Sequence, residues 1–135
     1  MTTRLPDDHG AFFALSVADY NAAVGWYTRH LGFRIEAEAE NDIRKGALLS
    51  KPGLLLEIAQ FHGARPRSNS GETVESHKVH GIFKIGFLVP DIDTRFKEAE
   101  ESGLDITFSI VPAAAGFRTF GVSDPEGNQI QFFGK

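Results

Sequence analysis

The chain has 135 residues, a net charge of −4 and no cysteine. That is the size of one ordinary domain. It excludes disulfides, thiolate metal sites and cysteine nucleophiles, and the lack of a basic cluster argues against nucleic acid as a partner. No run approaches the roughly eighteen apolar residues of a membrane span and no apolar leader-like stretch opens the sequence, so the expectation is a soluble, cytoplasmic protein that does not engage membranes.

The first strand carries Phe13, Leu15 and Val17 on one face and Phe12, Ala14 and Ser16 on the other, because strand side chains alternate. Asp19 then has the position of a helix N-cap, and Val24, Tyr27 and Leu31 share one helical face. Trp26 and Tyr27 belong to that helix, with Tyr27 on its apolar side. Gly32 stands where a left-handed residue is expected to end it. The segment IRKGALLSKPGLLLEI (43–58) reads as two strands joined by a KPGL turn, with Leu54, Leu56 and Ile58 facing a core and Leu55, Glu57 and Ala59 facing away. Residues 62–80, HGARPRSNSGETVESHKVH, are polar and aperiodic, and read either as a linker or as a lid over a binding site.

The pattern then starts again. Phe83, Ile85, Phe87 and Val89 alternate with Ile82, Lys84, Gly86 and Leu88; Asp91 caps a helix whose apolar face is Ile92, Phe96 and Ala99; Gly103 ends it. A DPEGN turn precedes a last strand with Ile130 and Phe132 inward and Gln129, Gln131 and Phe133 on the opposite side. Asp19 falls on Asp91 at an offset of 72 residues, and 43–58 falls on 117–132 at an offset of 74, matching Arg44 to Arg118, Gly53 to Gly127 and Glu57 to Gln131. The chain is therefore expected to hold two copies of a strand–helix–three-strand unit: module one at 11–61, the linker at 62–80 and module two at 81–134, in a single domain.

The second face of each unit mixes small, large apolar and polar residues. That composition fits a sheet surface curving over a cavity better than a surface bathed in water. Lys84 on such a face requires either exposure or a partner. Arg44 and Arg118, on matching third strands, read as a carboxylate clamp at a cavity mouth or as exposed charge. His62, His77 and His80 crowd the linker without a helical frame; His9 and His30 read as surface residues. No phosphate-binding loop and no nucleophile elbow is present.

Paired units of this form, together with LSVADYNAAVGWYTRHLGF and SDPEGNQIQFF, resemble the vicinal oxygen chelate superfamily, which includes glyoxalase I, bleomycin-resistance proteins and extradiol dioxygenases. The resemblance implies an α+β fold of two βαβββ modules forming a curved mixed sheet with a central cavity, and a homodimer. It assigns metal ligands to positions held here by Phe12, Glu57, Lys84 and Gln131. Only Glu57 is an ordinary ligand, so the standard metal site is expected to be absent and no cofactor is implied. Lys84 and Glu57 are then expected to form an ion pair where the metal would sit. They are the candidate anchors or catalytic groups, with Phe12, Leu88, Arg118, Gln131 and Phe133 contacting a small, partly apolar or aromatic ligand. The alternatives are a metal-dependent lyase, isomerase or dioxygenase in which Glu57 and the linker histidines hold a divalent ion, and a metal-free enzyme in which Lys84 polarises a carbonyl.

Overall fold

A computed structural model describes residues 10–66 and 80–135. The linker reading of 62–80 therefore lies largely outside the described residues, as do His9 and His77. Within the described residues one compact unit ends at Arg65 and the next begins at Pro66. No helix among these residues is long and apolar enough to cross a membrane.

The first unit runs β1 (Ala11–Ser16), α1 (Tyr20–Leu31), β2 (Arg34–Glu40), β3 (Arg44–Lys51) and β4 (Leu54–Phe61). Its strands hydrogen-bond in the order β1-β4-β3-β2, with β1 parallel to β4 and the other pairs antiparallel. Helix α1 carries the chain from β1 to β2 at the far edge, and β3 and β4 return it to lie parallel beside β1. Asp19 starts it by accepting the Ala22 N–H at 3.0 Å, and Gly32 ends it at φ 72°, a left-handed conformation that glycine adopts without steric penalty. The helix buries Tyr20, Ala23, Val24, Tyr27 and Leu31 against β3 and β4, where Leu49, Leu56 and Ile58 are buried in turn. Each such aliphatic or aromatic side chain contributes about 1.5–3 kcal/mol of burial.

The second unit repeats the plan with β5 (Lys84–Leu88), α2 (Ile92–Glu101), β6 (Asp105–Pro112), β7 (Arg118–Ser123) and β8 (Gln129–Gly134), in the order β5-β8-β7-β6. Asp91 caps α2 through the Asp93 and Thr94 N–H groups. The core is aromatic: Phe120 stacks on Phe132 at 4.8 Å, and Phe96 from α2 meets Phe120 edge-on at 5.1 Å. The DPEGN turn is organised by Asp124, whose carboxylate accepts the Glu126 and Asn128 N–H groups and the Asn128 amide.

Tyr20 is nearly fully buried at the start of α1. Its hydroxyl donates to Glu38 at 2.5 Å, its N–H donates to Gln60 at 2.8 Å, and Lys45 Nζ stands 4.6 Å from its ring centroid. Burial first, then the hydrogen bond to Glu38 and the charges of Glu38 and Glu40, push the Tyr20 hydroxyl up to about 12. In the unfolded chain the hydroxyl ionises near its ordinary value of 10.0, so its contribution is complete below that pH and is lost as pH rises toward 12. Urea unfolding across this range should show a steeper alkaline loss of stability for the wild type than for Tyr20→Phe.

On β7, Gly121 lies under Phe108, where the β6 register is irregular. A Cβ on Gly121 would overlap the edge of the Phe108 ring and come within 2.8 Å of Thr107 Oγ1. Gly121→Ala should destabilise the protein by about 1–3 kcal/mol through overpacking. Adding Phe108→Ala should recover part of that loss, so a double-mutant cycle should give a coupling well outside additivity.

Candidate functional site

Residues paired across neighbouring strands present their side chains to the same face. In the first sheet the face turned away from α1 therefore carries the rows Phe12–Leu55–Ser50, Ala14–Glu57–Leu48 and Ser16–Ala59–Gly46, with Arg44 beside Phe61 at one end. Glu57 is the central polar group. Arg44 Nη1 donates to Glu57 Oε2 in a tight ion pair. The guanidinium reaches it by passing over Gly46, where an added Cβ would lie 3.6 Å from Arg44 Cζ, and stands 5.8 Å from the Phe61 ring centroid. The pair stays accessible, with 40% of the Arg44 side chain and 26% of the Glu57 side chain exposed. Phe12, 56% exposed, flanks it on the edge strand.

In the second sheet the corresponding rows are Lys84–Gln129–Ser123, Gly86–Gln131–Gly121 and Leu88–Phe133–Thr119. Gln131, the counterpart of Glu57, is buried and donates from Nε2 to Thr119 Oγ1 at 2.8 Å; the Thr119 hydroxyl donates to the Phe132 carbonyl at 2.6 Å. Phe117 meets Phe133 edge-on at 6.3 Å, and Leu88 is 82% exposed. Lys84 is exposed, with Nζ 5.2 Å from the Phe83 ring centroid.

The structure thus places Phe12 and Glu57 on the open face of the first sheet, and Lys84, Leu88, Gln131 and Phe133 on the open face of the second. Arg118 does not join them. It lies with Phe120 and Val122 on the helix side of β7 and grips Asp93 of α2 with two hydrogen bonds at 3.0 and 2.6 Å. This interaction holds the Asp93 carboxyl below its ordinary range and raises the guanidinium. The sequence matching of Arg44 to Arg118 is therefore off by one residue. The first hairpin closes Lys51 on Leu54, whereas the second closes Ser123 on Gln129 through a longer turn. The true counterpart of Arg44 is Phe117, and that of Arg118 is Lys45, which likewise reaches its helix at Tyr20. A shift of one residue turns a side chain to the other face.

The charge balance that the sequence reading assigned to Lys84 is supplied to Glu57 by Arg44, a neighbour in its own sheet. Arg44 as that partner, and Thr119, Phe117 and Phe108 as part of the second face, were not singled out from sequence. The signal for Arg44 was the small Gly46 two residues on, which leaves a path across the strand. The donors at the positions the resemblance gives to a metal do not suit one: Phe12 has no donor atom, a lysine ammonium has no lone pair, Gln131 offers a single amide oxygen, and Glu57 is paired with Arg44. His62 and His80 are exposed, and no three His, Cys, Asp or Glu side chains converge among the described residues.

No curated protein matches this sequence. Among solved structures the chain is similar to the glyoxalase family protein from Enterococcus faecalis, at 18% identity, TM-score 0.73, and 94% and 96% coverage of this chain and that one. It is also similar to TnmS3, an antibiotic binding protein from Streptomyces sp. CB03234, at 17% identity, TM-score 0.71, and 97% and 98% coverage. Lactoylglutathione lyase from Agrobacterium tumefaciens matches at 16% identity, TM-score 0.69, and 96% coverage of both chains. These likenesses concern the fold. The model of the Glyoxalase/Bleomycin resistance protein/Dioxygenase superfamily matches residues 10–132, and the chain belongs to that superfamily.

Proposed function

We propose that the chain is a small-molecule-binding member of its superfamily, holding a partly apolar or aromatic ligand without a metal ion. The observation that carries this reading is the open face of the second sheet. Leu88 is 82% exposed in a row with Phe133, near Phe117, around a Gln131–Thr119 link that leaves the Gln131 amide oxygen without a partner among the described residues. Large apolar side chains around a few fixed polar groups are the usual composition of a small-molecule site. The description of TnmS3 as an antibiotic binding protein supports the same reading. Lys84 and Glu57 serve as polar anchors for ligand groups, each from its own face.

A divalent ion held in the manner of the superfamily's metalloenzymes would need three or four suitable donors, and Glu57 would have to exchange Arg44 for the ion. A homodimer, implied by the family resemblance, is part of the proposal. It is supported by β1, an edge strand of its sheet that carries neither charge nor proline, the usual protections of an edge.

A thermal-shift and ligand-observed NMR screen across neutral and acidic aromatic compounds should yield binders whose affinity is unchanged by dialysis against a chelator. Leu88→Asp should keep the thermal unfolding transition and weaken those binders about tenfold or more. Lys84→Met should weaken the acidic binders alone. A stoichiometric divalent ion in the purified protein, with binding abolished by the chelator, would overturn the reading in favour of a metal-dependent enzyme.

A further inference from the structure

The Arg44–Glu57 pair has hydrogen-bonding capacity left over. Nη1 of Arg44 is committed to Oε2 of Glu57. Among the described residues, Nη2 and Nε of Arg44 and Oε1 of Glu57 have no further hydrogen-bond partner. The pair is half-exposed and fixed in place: the guanidinium lies over Gly46 and beside Phe61, and Glu57 sits between Ala14 and Leu48. Its surroundings are apolar, with Phe12, Leu55, Leu48 and Phe61 on the same face.

A donor and an acceptor held side by side with no net charge select a particular partner. A carboxylate approaching the guanidinium meets the Glu57 charge at nearly the same distance, so attraction and repulsion largely cancel. A neutral group with an acceptor next to a donor meets no such opposition. Its carbonyl accepts from Arg44 while its N–H or O–H donates to Glu57, and both hydrogen bonds are charge-assisted.

We infer that the Arg44–Glu57 pair is a recognition site for neutral ligands that carry an adjacent hydrogen-bond acceptor and donor on an apolar or aromatic body, such as a carboxamide or a hydroxycarbonyl, and that it discriminates against carboxylates. This rests on the ligand-binding reading above and names the class of ligand that the first unit takes.

Three probes of one skeleton test it: naphthamide, naphthoate and the parent hydrocarbon, titrated by ligand-observed NMR into the full chain carrying Lys84→Met, which removes the cation of the second face and is the background for every ratio. With Arg44 and Glu57 intact, naphthamide should bind about tenfold more tightly than naphthoate. Glu57→Gln keeps the shape and removes the negative charge, so it should reverse the preference, with naphthoate gaining about a hundredfold relative to naphthamide. Arg44→Gln should weaken naphthamide and leave the hydrocarbon unchanged. A purely structural ion pair would not invert selectivity. Naphthoate binding as tight as that of naphthamide with the pair intact, or an unaltered ratio in Glu57→Gln, overturns the inference. If Glu57→Gln fails to fold, the ratio with the pair intact and Arg44→Gln still decide it. Hydrocarbon binding without an amide preference overturns this inference and leaves the broader reading standing. Binding of none of the three overturns both.

Discussion

The parallel register between the first and last strands of each unit is the constraint on which the site depends. It sets Glu57 opposite Ala14 and Gln131 opposite Gly86, so the central polar residue of each sheet lies beside a small neighbour. The same register turns Leu56 and Ile58, or Ile130 and Phe132, toward the helix. Because strand side chains alternate, the two outcomes are inseparable. The core fixes which residues face outward, and slipping it would expose the apolar set and bury the charges.

The two units meet the demands of the central polar residue in different ways. In the first, Gly46 leaves a gap and a guanidinium from two residues away crosses it to reach a carboxylate. In the second, Thr119 fills the corresponding place, and its hydroxyl links an amide to a backbone carbonyl. An ion pair that stays partly in water keeps much of its hydration, so its worth to folding is small, and its better use is to orient groups toward a partner. The neutral link is buried, and its hydroxyl both accepts and donates, as a buried polar group must. One face thus offers charge-bearing groups in a neutral pair, and the other offers an aromatic surface.

Much of the fold was legible in the sequence. The alternation in FALSV and IGFLV, the aspartates ahead of both helices and the glycines after them all signal short-range physics, and each signal was sufficient. Asp19, Asp91, Gly32 and Gly103 do what their residue types do best. The open-face residues Phe12, Glu57, Lys84, Leu88, Gln131 and Phe133 were legible for the same reason, since period two assigns them once the core face is known. What escaped was the pairing of Arg44 and the placement of Arg118. Both depend on hairpin length. Aligning letters across the two units absorbed the extra turn residues of DPEGN at the wrong point, and a strand that is right in every residue type still reverses its faces when counted one residue off.

The ends of the third and fourth strands hold a quieter relation. In the first unit Arg44, on the third strand, stands over Phe61 on the fourth; in the second unit Lys135, just past the last strand, stands 5.5 Å from the Phe117 ring just before β7. These are the same two places with cation and ring exchanged. A duplicated unit can drift through such a trade without losing the contact, because the attraction does not depend on which strand contributes which partner. The repeat in this protein is therefore visible in a couple of side chains even where the individual letters do not agree.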